Sequence, residues 1–333
     1  MAGPAVQTSS RWGVLLLGIV AVSTGSILAR LAQAPALVIG AWRLSLAALL
    51  LTPAALARSR REWRSLDGRD MLRLVLSGLA LAVHFATWLA SLSYTTVASS
   101  VILVSTNPIF VGLASHFLLG EHLRRGTIVA IGVVMIGTVI VSYGDLSISG
   151  RALWGDLLAL LGAVAASSYF LLGRALRRKL STLAYVWPCY GIAGLALLLM
   201  CLLAGQPLIG YTGPTYVTFL LMAVVPQVLG HSGFKSVLRV FTSTFVTLAI
   251  LGEPVGATIL ALLVLSEAPR PTALIGGALV LAGIYLASRQ ERPRSAPLGT
   301  PNFEEERTHD RRMGGQIRPS TGMDDHLGDP GHL

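Results

Sequence analysis

Four ionisable residues stand inside long apolar runs of this chain: Arg43 in AWRLSLAALL, His84 in LAVHFATWLA, His231 in GHSGF, and Glu253 in LGEPVGATILALLVLSE. A charged side chain at mid-bilayer costs about 2.5–3.5 kcal/mol on insertion scales, so such residues usually face a cavity or a partner. Arg43 presents a planar fork of donors that fits a carboxylate, or that holds a neighbouring carbonyl. His84 has Trp88 one helical turn further on and on the same face, which suits either a substrate or proton site or a packed histidine bonded to a backbone carbonyl. Gln227 and His231 are again four residues apart and share a face in the same way. Desolvation favours the neutral form of a carboxyl group such as Glu253 unless a cation compensates it. Glu253 is therefore a candidate ligand for a substrate ammonium or a carrier for an exchanged proton; a protonated carboxyl bonded to a backbone carbonyl is the alternative.

Glu253 precedes Pro254, and an earlier stretch, TNPIFVGLASHFLLGE, places Asn107 before Pro108. Each proline is followed by a glutamate, Glu121 and Glu267, and 146 positions separate Pro108 from Pro254 and Glu121 from Glu267. Proline has no amide proton, so Pro108 cannot bond the carbonyl of Val104, nor Pro254 that of Ile250. A bend with an open acceptor is expected at each, satisfied by a hydroxyl such as Ser105 or Thr106, by substrate, or by water, and Pro108 and Pro254 are the expected hinges. Glu121 and Glu267, at helix ends with Arg124 and Arg270 three residues on, read as structural ion pairs.

The elements that carry these residues follow from composition. With 53% hydrophobic and 13% charged residues and a mean hydropathy of +0.67 over 333 residues, the chain is too apolar for a soluble domain. About 20 apolar residues cross the hydrocarbon layer as a helix. Ten such runs lie at roughly 12–33, 36–57, 70–92, 96–119, 125–143, 152–174, 182–204, 213–234, 240–265 and 271–288. The expected fold is thus an all-α integral membrane protein of ten transmembrane helices. Residues 1–11 read as a cytoplasmic N-terminus and residues 289–333, rich in Pro, Gly and charge, as a disordered polar tail.

The 146-residue offset also relates Arg124 to Arg270, Val134 to Val280 and Gly137 to Gly283, and AWRLSLAALLL meets VWPCYGIAGLA at 145. Trp12-Gly13 matches Trp154-Gly155, which makes the first apolar run a retained helix and not a cleaved leader. The repeats are 12–143 and 152–288, five helices each. An odd number of spans inverts the second copy relative to the first, and inverted repeats place a substrate site between them near mid-membrane. Positive charge follows the same plan. Fifteen basic residues, among them Arg58, Arg60, Arg61, Arg64, Arg69 and Arg73, fall on one side and only Arg30, Arg151 and Arg270 on the other. Both termini are therefore expected in the cytoplasm, and nucleic acid is not an expected partner.

The segments YTTVASSVILVSTNPIF leading into LLGEHL, AWRLSLAALL, and GHSGF before LGEPVGATILALLVLSE with IGGALVLAGIYL after it resemble the drug/metabolite transporter superfamily, in its EamA-type ten-helix form, over roughly residues 10–290. One departure is Phe234-Lys235-Ser236, where relatives often carry Asn-Trp. The resemblance implies alternating access of two five-helix halves and export of amino acids or other small metabolites from a bacterial-type inner membrane. Arg43, His84, Trp88, Asn107, Tyr169, Trp187, Gln227, His231 and Glu253 are the expected substrate-binding residues. Trp42, Tyr94 and Tyr190 are further aromatics that suit either a cavity wall or an interfacial belt.

Rival classes find little in the sequence. There is no His-Glu-x-x-His, no Walker loop and no intramembrane Gly-x-Gly-Asp, SYGD at 142–145 lacking the first glycine. A paired channel box fails because NPI at 107–109 is answered by EPV. Neither cofactor nor metal is expected. The expected partners are a small-molecule substrate and the lipid bilayer, with a proton as candidate coupling ion.

Overall fold

The computed structural model describes residues 4–119, 125–146, 150–177, 179–231 and 252–290, and among these the regular structure is entirely helical. The first half holds α1 (Pro4–Leu31), α2 (Ala36–Arg58), α3 (Arg60–Arg64), α4 (Gly68–Ser91), α5 (Val97–Val104), α6 (Asn107–Leu119) and α7 (Arg125–Leu146). The second holds α8 (Gly150–Leu176), α9 (Thr182–Leu203), α10 (Gly213–Met222) running into a π-helical segment (Ala223–His231), α11 (Gly252–Leu265) and α12 (Pro271–Gln290). Six stretches are long and apolar enough to cross a bilayer: Ala36–Arg58, Gly68–Ser91, Val97–Ala114, Gly150–Gly173, Thr182–Leu203 and Gly213–Gly230. Four shorter apolar helices, Leu17–Leu31, Ile128–Val141, Gly252–Leu265 and Pro271–Leu286, lie in the remaining runs.

Helix starts follow local capping chemistry. Asp67, Thr96 and Ser181 accept from the backbone N–H of Asp70, Ser99 and Ala184 at 2.7, 3.1 and 3.3 Å, opening α4, α5 and α9. The Asp70 N–H holds the Asp67 carboxyl below its ordinary range, and a bond to the Asp70 carboxylate raises the Lys179 ammonium.

Where one bent helix was expected over 96–119, the chain breaks in two. The α5 helix ends with Ser105 N–H on Val101 O at 3.1 Å and Thr106 N–H on Leu103 O at 3.2 Å, and α6 starts at Asn107. Pro108 thus sits in a first turn, where an N–H has no intrahelical partner to lose. The hydroxyls of Ser105 and Thr106 return to Val101 and Leu103, both at 2.7 Å, so they do not serve the Val104 carbonyl. Pro254 is the third described residue of α11, and Ile250 lies outside the described residues. The run over 213–234 also departs from one regular helix, widening into the π segment that contains Pro226. A missing amide and a widened turn are common causes of such bulges.

The packing repeats across the two halves. The α2 helix packs on α9 and α7 on α12, each pairing one half's element with its counterpart in the other. Contacts of α4 with α8 are matched by the π segment with α1, and those of α5 and α6 with α8 by α11 with α1. The marked glycines show the exchange at atomic scale. A Cβ on Gly137 would stand 2.6 Å from Gly276 O and 2.9 Å from Val280 N, whereas one on Gly283 would stand 2.6 Å from Val134 Cγ2 and 2.9 Å from Ala130 O. Small residues thus bring the α7 and α12 backbones together without a polar group. Cys189 and Cys201 are buried on α9 and are not joined by a disulfide.

Candidate functional site

Arg43 is the centre of a buried cluster drawn from five elements. Its side chain is 1% exposed, and its Nε donates to Oε1 of Gln227 at 2.8 Å. The guanidinium carbon lies 4.5 Å from the Phe85 ring centroid and 5.7 Å from that of Trp88, which is cation–π range. The Nη1 atom is buried without a hydrogen-bond partner among the described residues, as are Nε1 of Trp88 and the hydroxyl of Ser26. A Cβ added to Gly25 would stand 3.6 Å from Arg43 Nη1, 3.6 Å from Trp88 Cη2 and 3.5 Å from Pro226 Cβ. The bare α1 backbone, the guanidinium, the indole and the π segment therefore meet at one place.

His84 belongs to the same cluster. Its ring is parallel to Trp88, 3° between planes and 6.1 Å between centroids. Its Nδ1 lies 2.9 Å from the carbonyl of Gly162 on α8. A carbonyl only accepts, so Nδ1 carries the proton and Nε2 is left as an acceptor in the neutral ring. His84 thus makes the backbone-carbonyl bond of the packed-histidine alternative, with Trp88 on the same face as the spacing predicts.

Glu253 approaches from α11. It is within Coulombic reach of Arg43, and its backbone carbonyl accepts from the Ser23 hydroxyl at 3.3 Å. In the other half, the Asn107 carbonyl accepts from the Ser167 hydroxyl at 2.8 Å. Each serine also bonds its own helix four residues back, Ser23 to Ile19 O at 2.8 Å and Ser167 to Ala163 O at 2.7 Å. The carbonyl just before each proline thus receives a hydroxyl from a helix of the opposite half.

The remaining expected residues are placed elsewhere or differently. Tyr169 is buried against Tyr185, its carbonyl accepting from Tyr185 Oη at 3.1 Å and Ser77 Oγ at 3.2 Å, in the contact of α4, α8 and α9. Trp187 stacks on Trp63 with centroids 4.9 Å apart and donates to Thr52 Oγ1 at 2.9 Å, at the arginine-rich end. Trp42 donates to Leu208 O at 2.9 Å near the opposite end. His231 closes the π segment, and its side chain, with that of Pro108, lies outside the described residues, as do Glu121, Arg124 and Phe234-Lys235-Ser236.

Glu267 has a structural role that reaches across the chain. Its Oε2 accepts from Arg30 at 2.9 Å and its Oε1 from the Val97 N–H at 2.6 Å, joining α1, the start of α5 and the α11–α12 connection. Sequence reading missed Ser23, Ser26, Phe85, Ser167 and Pro226. The serines had a signal: STGSILAR at 23–30 and SSYFLLGR at 167–174 share a serine start and an arginine seven residues on.

Comparison with known proteins agrees with this architecture. The chain is 27% identical to a protein of Clostridium kluyveri named an uncharacterized transporter, over 71% of this chain and 78% of that one. It is 26% identical to the uncharacterized transporter YetK of Bacillus subtilis, over 70% of this chain and 73% of that one. A solved crystal structure matches with a TM-score of 0.59 at 21% identity, over 84% of this chain and 96% of the other, a likeness of fold. The EamA-like transporter family matches residues 11–143 and 153–289, one match for each half described above, and the chain belongs to that family of multi-pass membrane transporters.

Proposed function

We propose that this transporter exports amino acids, or small metabolites with the same zwitterionic head, by alternating access through the Arg43 cluster between its two repeats. The carrying observation is the Arg43 guanidinium. Its Nε is held by Gln227 while Nη1 stays buried and unpartnered among the described residues. A fixed guanidinium with a spare donor suits a carboxylate. Glu253 adds an opposite charge within Coulombic reach, which suits the ammonium of the same molecule. The Phe85 and Trp88 rings supply an apolar wall beside both.

The accompanying topology has ten spans in two inverted five-helix repeats, both termini cytoplasmic, in a bacterial-type inner membrane. It draws support from the four shorter apolar helices and from the charge bias of the connections. Efflux from preloaded proteoliposomes across a panel of amino acids, with and without an imposed pH gradient, tests the reading. Arg43→Lys, which keeps the charge and loses the fork, weakens efflux of carboxylate-bearing substrates. Equal efflux by wild type and Arg43→Gln would refute the assignment.

A second reading of Glu253 is favoured by the His84 geometry. With Nδ1 committed to Gly162, Nε2 is the ring's remaining acceptor, open to a proton donor. In that reading Glu253 and His84 carry the exchanged proton, and Glu253→Gln loses the pH dependence of exchange while exchange itself persists. Loss of binding for ammonium-bearing substrates alone marks Glu253 as the amine ligand instead.

A further inference from the structure

The connection between α2 and α4, residues 58–73, carries six arginines and three acids, and the acids are committed elsewhere. Glu62 accepts from the Ser181 N–H at 2.5 Å and from its hydroxyl at 2.9 Å, closing the start of α9. Asp67 caps α4, and Asp70 binds Lys179 and, at 3.4 Å, Arg73. Arg58, Arg60, Arg61, Arg64 and Arg69 are left exposed with no acidic partner among the described residues. On α3, Arg60 and Arg64 are four apart and Arg61 and Arg64 three apart, spacings at which like charges repel.

The hairpin holds its shape through Trp63, not through its charges. The indole donates to Ala184 O at 2.9 Å and stacks on Trp187. Tryptophan at this depth belongs to the headgroup level of a bilayer. We infer that the exposed arginines of residues 58–69 form a binding shelf for the phosphate headgroups of anionic phospholipid. Guanidinium forks match phosphate oxygens two at a time, and basic clusters beside a membrane helix attract anionic lipid. Because Glu62, Trp63 and Asp70 anchor the shelf to Ser181, Ala184 and Lys179, lipid bound there sits on the joint between the two halves.

The test uses the full chain in detergent, with phosphatidylglycerol or phosphatidylcholine of identical acyl chains added, and counts retained lipid by native mass spectrometry. Wild type retains phosphatidylglycerol in clear preference to phosphatidylcholine. The triple variant R60Q/R61Q/R64Q, which keeps Glu62 and Trp63, loses that preference by roughly fivefold per arginine, on the order of a hundredfold in affinity. A control losing the same charge away from the shelf, R125Q/R151Q/R289Q, keeps it. Equal retention of the two lipids by wild type, a result that depends on no variant folding, overturns the inference. So does loss in the control triple alone, or a thermal shift produced equally by inorganic phosphate, which would make the occupant a soluble anion.

Discussion

At the start of α6 the carbonyl of Asn107 takes a hydroxyl from Ser167, and at the start of α11 the carbonyl of Glu253 takes one from Ser23. Both donors sit on the helix of the other half, and both carbonyls belong to the residue before a proline. The backbone device is thus written twice. The side chains differ: the second copy places a carboxylate within Coulombic reach of the buried Arg43, where the first has an amide. The two halves therefore share one backbone arrangement and differ in the charge of the side chain before the proline.

The strongest way to break this comparison is to exchange the charge. Glu253→Gln lowers transport of ammonium-bearing substrates on the order of a hundredfold, the scale of removing a desolvated carboxylate from a substrate ammonium. Asn107→Gln leaves transport within a few-fold of wild type. Exchange assays at several pH values check both, and equal losses would return the two copies to equivalence.

A next-smaller effect tests the packing of the halves. Gly137→Ala destabilises by about 1–3 kcal/mol, since its new methyl meets α12 backbone at 2.6 and 2.9 Å. Gly283→Ala costs less, because its backbone contacts, Ala130 O at 2.9 Å and Val134 N at 3.1 Å, are longer. Thermal unfolding in detergent ranks the two.

Hinge substitutions come below these. Pro108→Ala and Pro254→Ala each change folding stability by about 0.4–1 kcal/mol, the usual scale for gaining or losing a proline. Transport falls two- to fivefold while substrate binding survives, read by comparing equilibrium binding with efflux rate. The smallest effect separates the serines. A hydroxyl contact between membrane helices averages about 0.6 kcal/mol. Ser167→Ala approaches that value and Ser23→Ala falls below it, because their contacts measure 2.8 and 3.3 Å. Reversible unfolding of the single variants measures the difference.

Much of this was legible in one dimension, for reasons that the particular residues show. Solvent and element length follow from local composition, so the apolar runs were readable, and the Val134–Val280 and Gly137–Gly283 correspondences reappear as crossed contacts of α7 and α12. His84 and Trp88 shared a face because helical period alone puts residues four apart together. Other features needed the third dimension. Arg43 bonds Gln227, 184 positions away, and Glu267 pairs with Arg30, 237 away. In lipid a helix is apolar on its outer face as well as its inner one, so hydropathy carries no rotational signal. Which way a helix turns, and at what depth a side chain such as Trp187 ends, was decided only when the two halves packed.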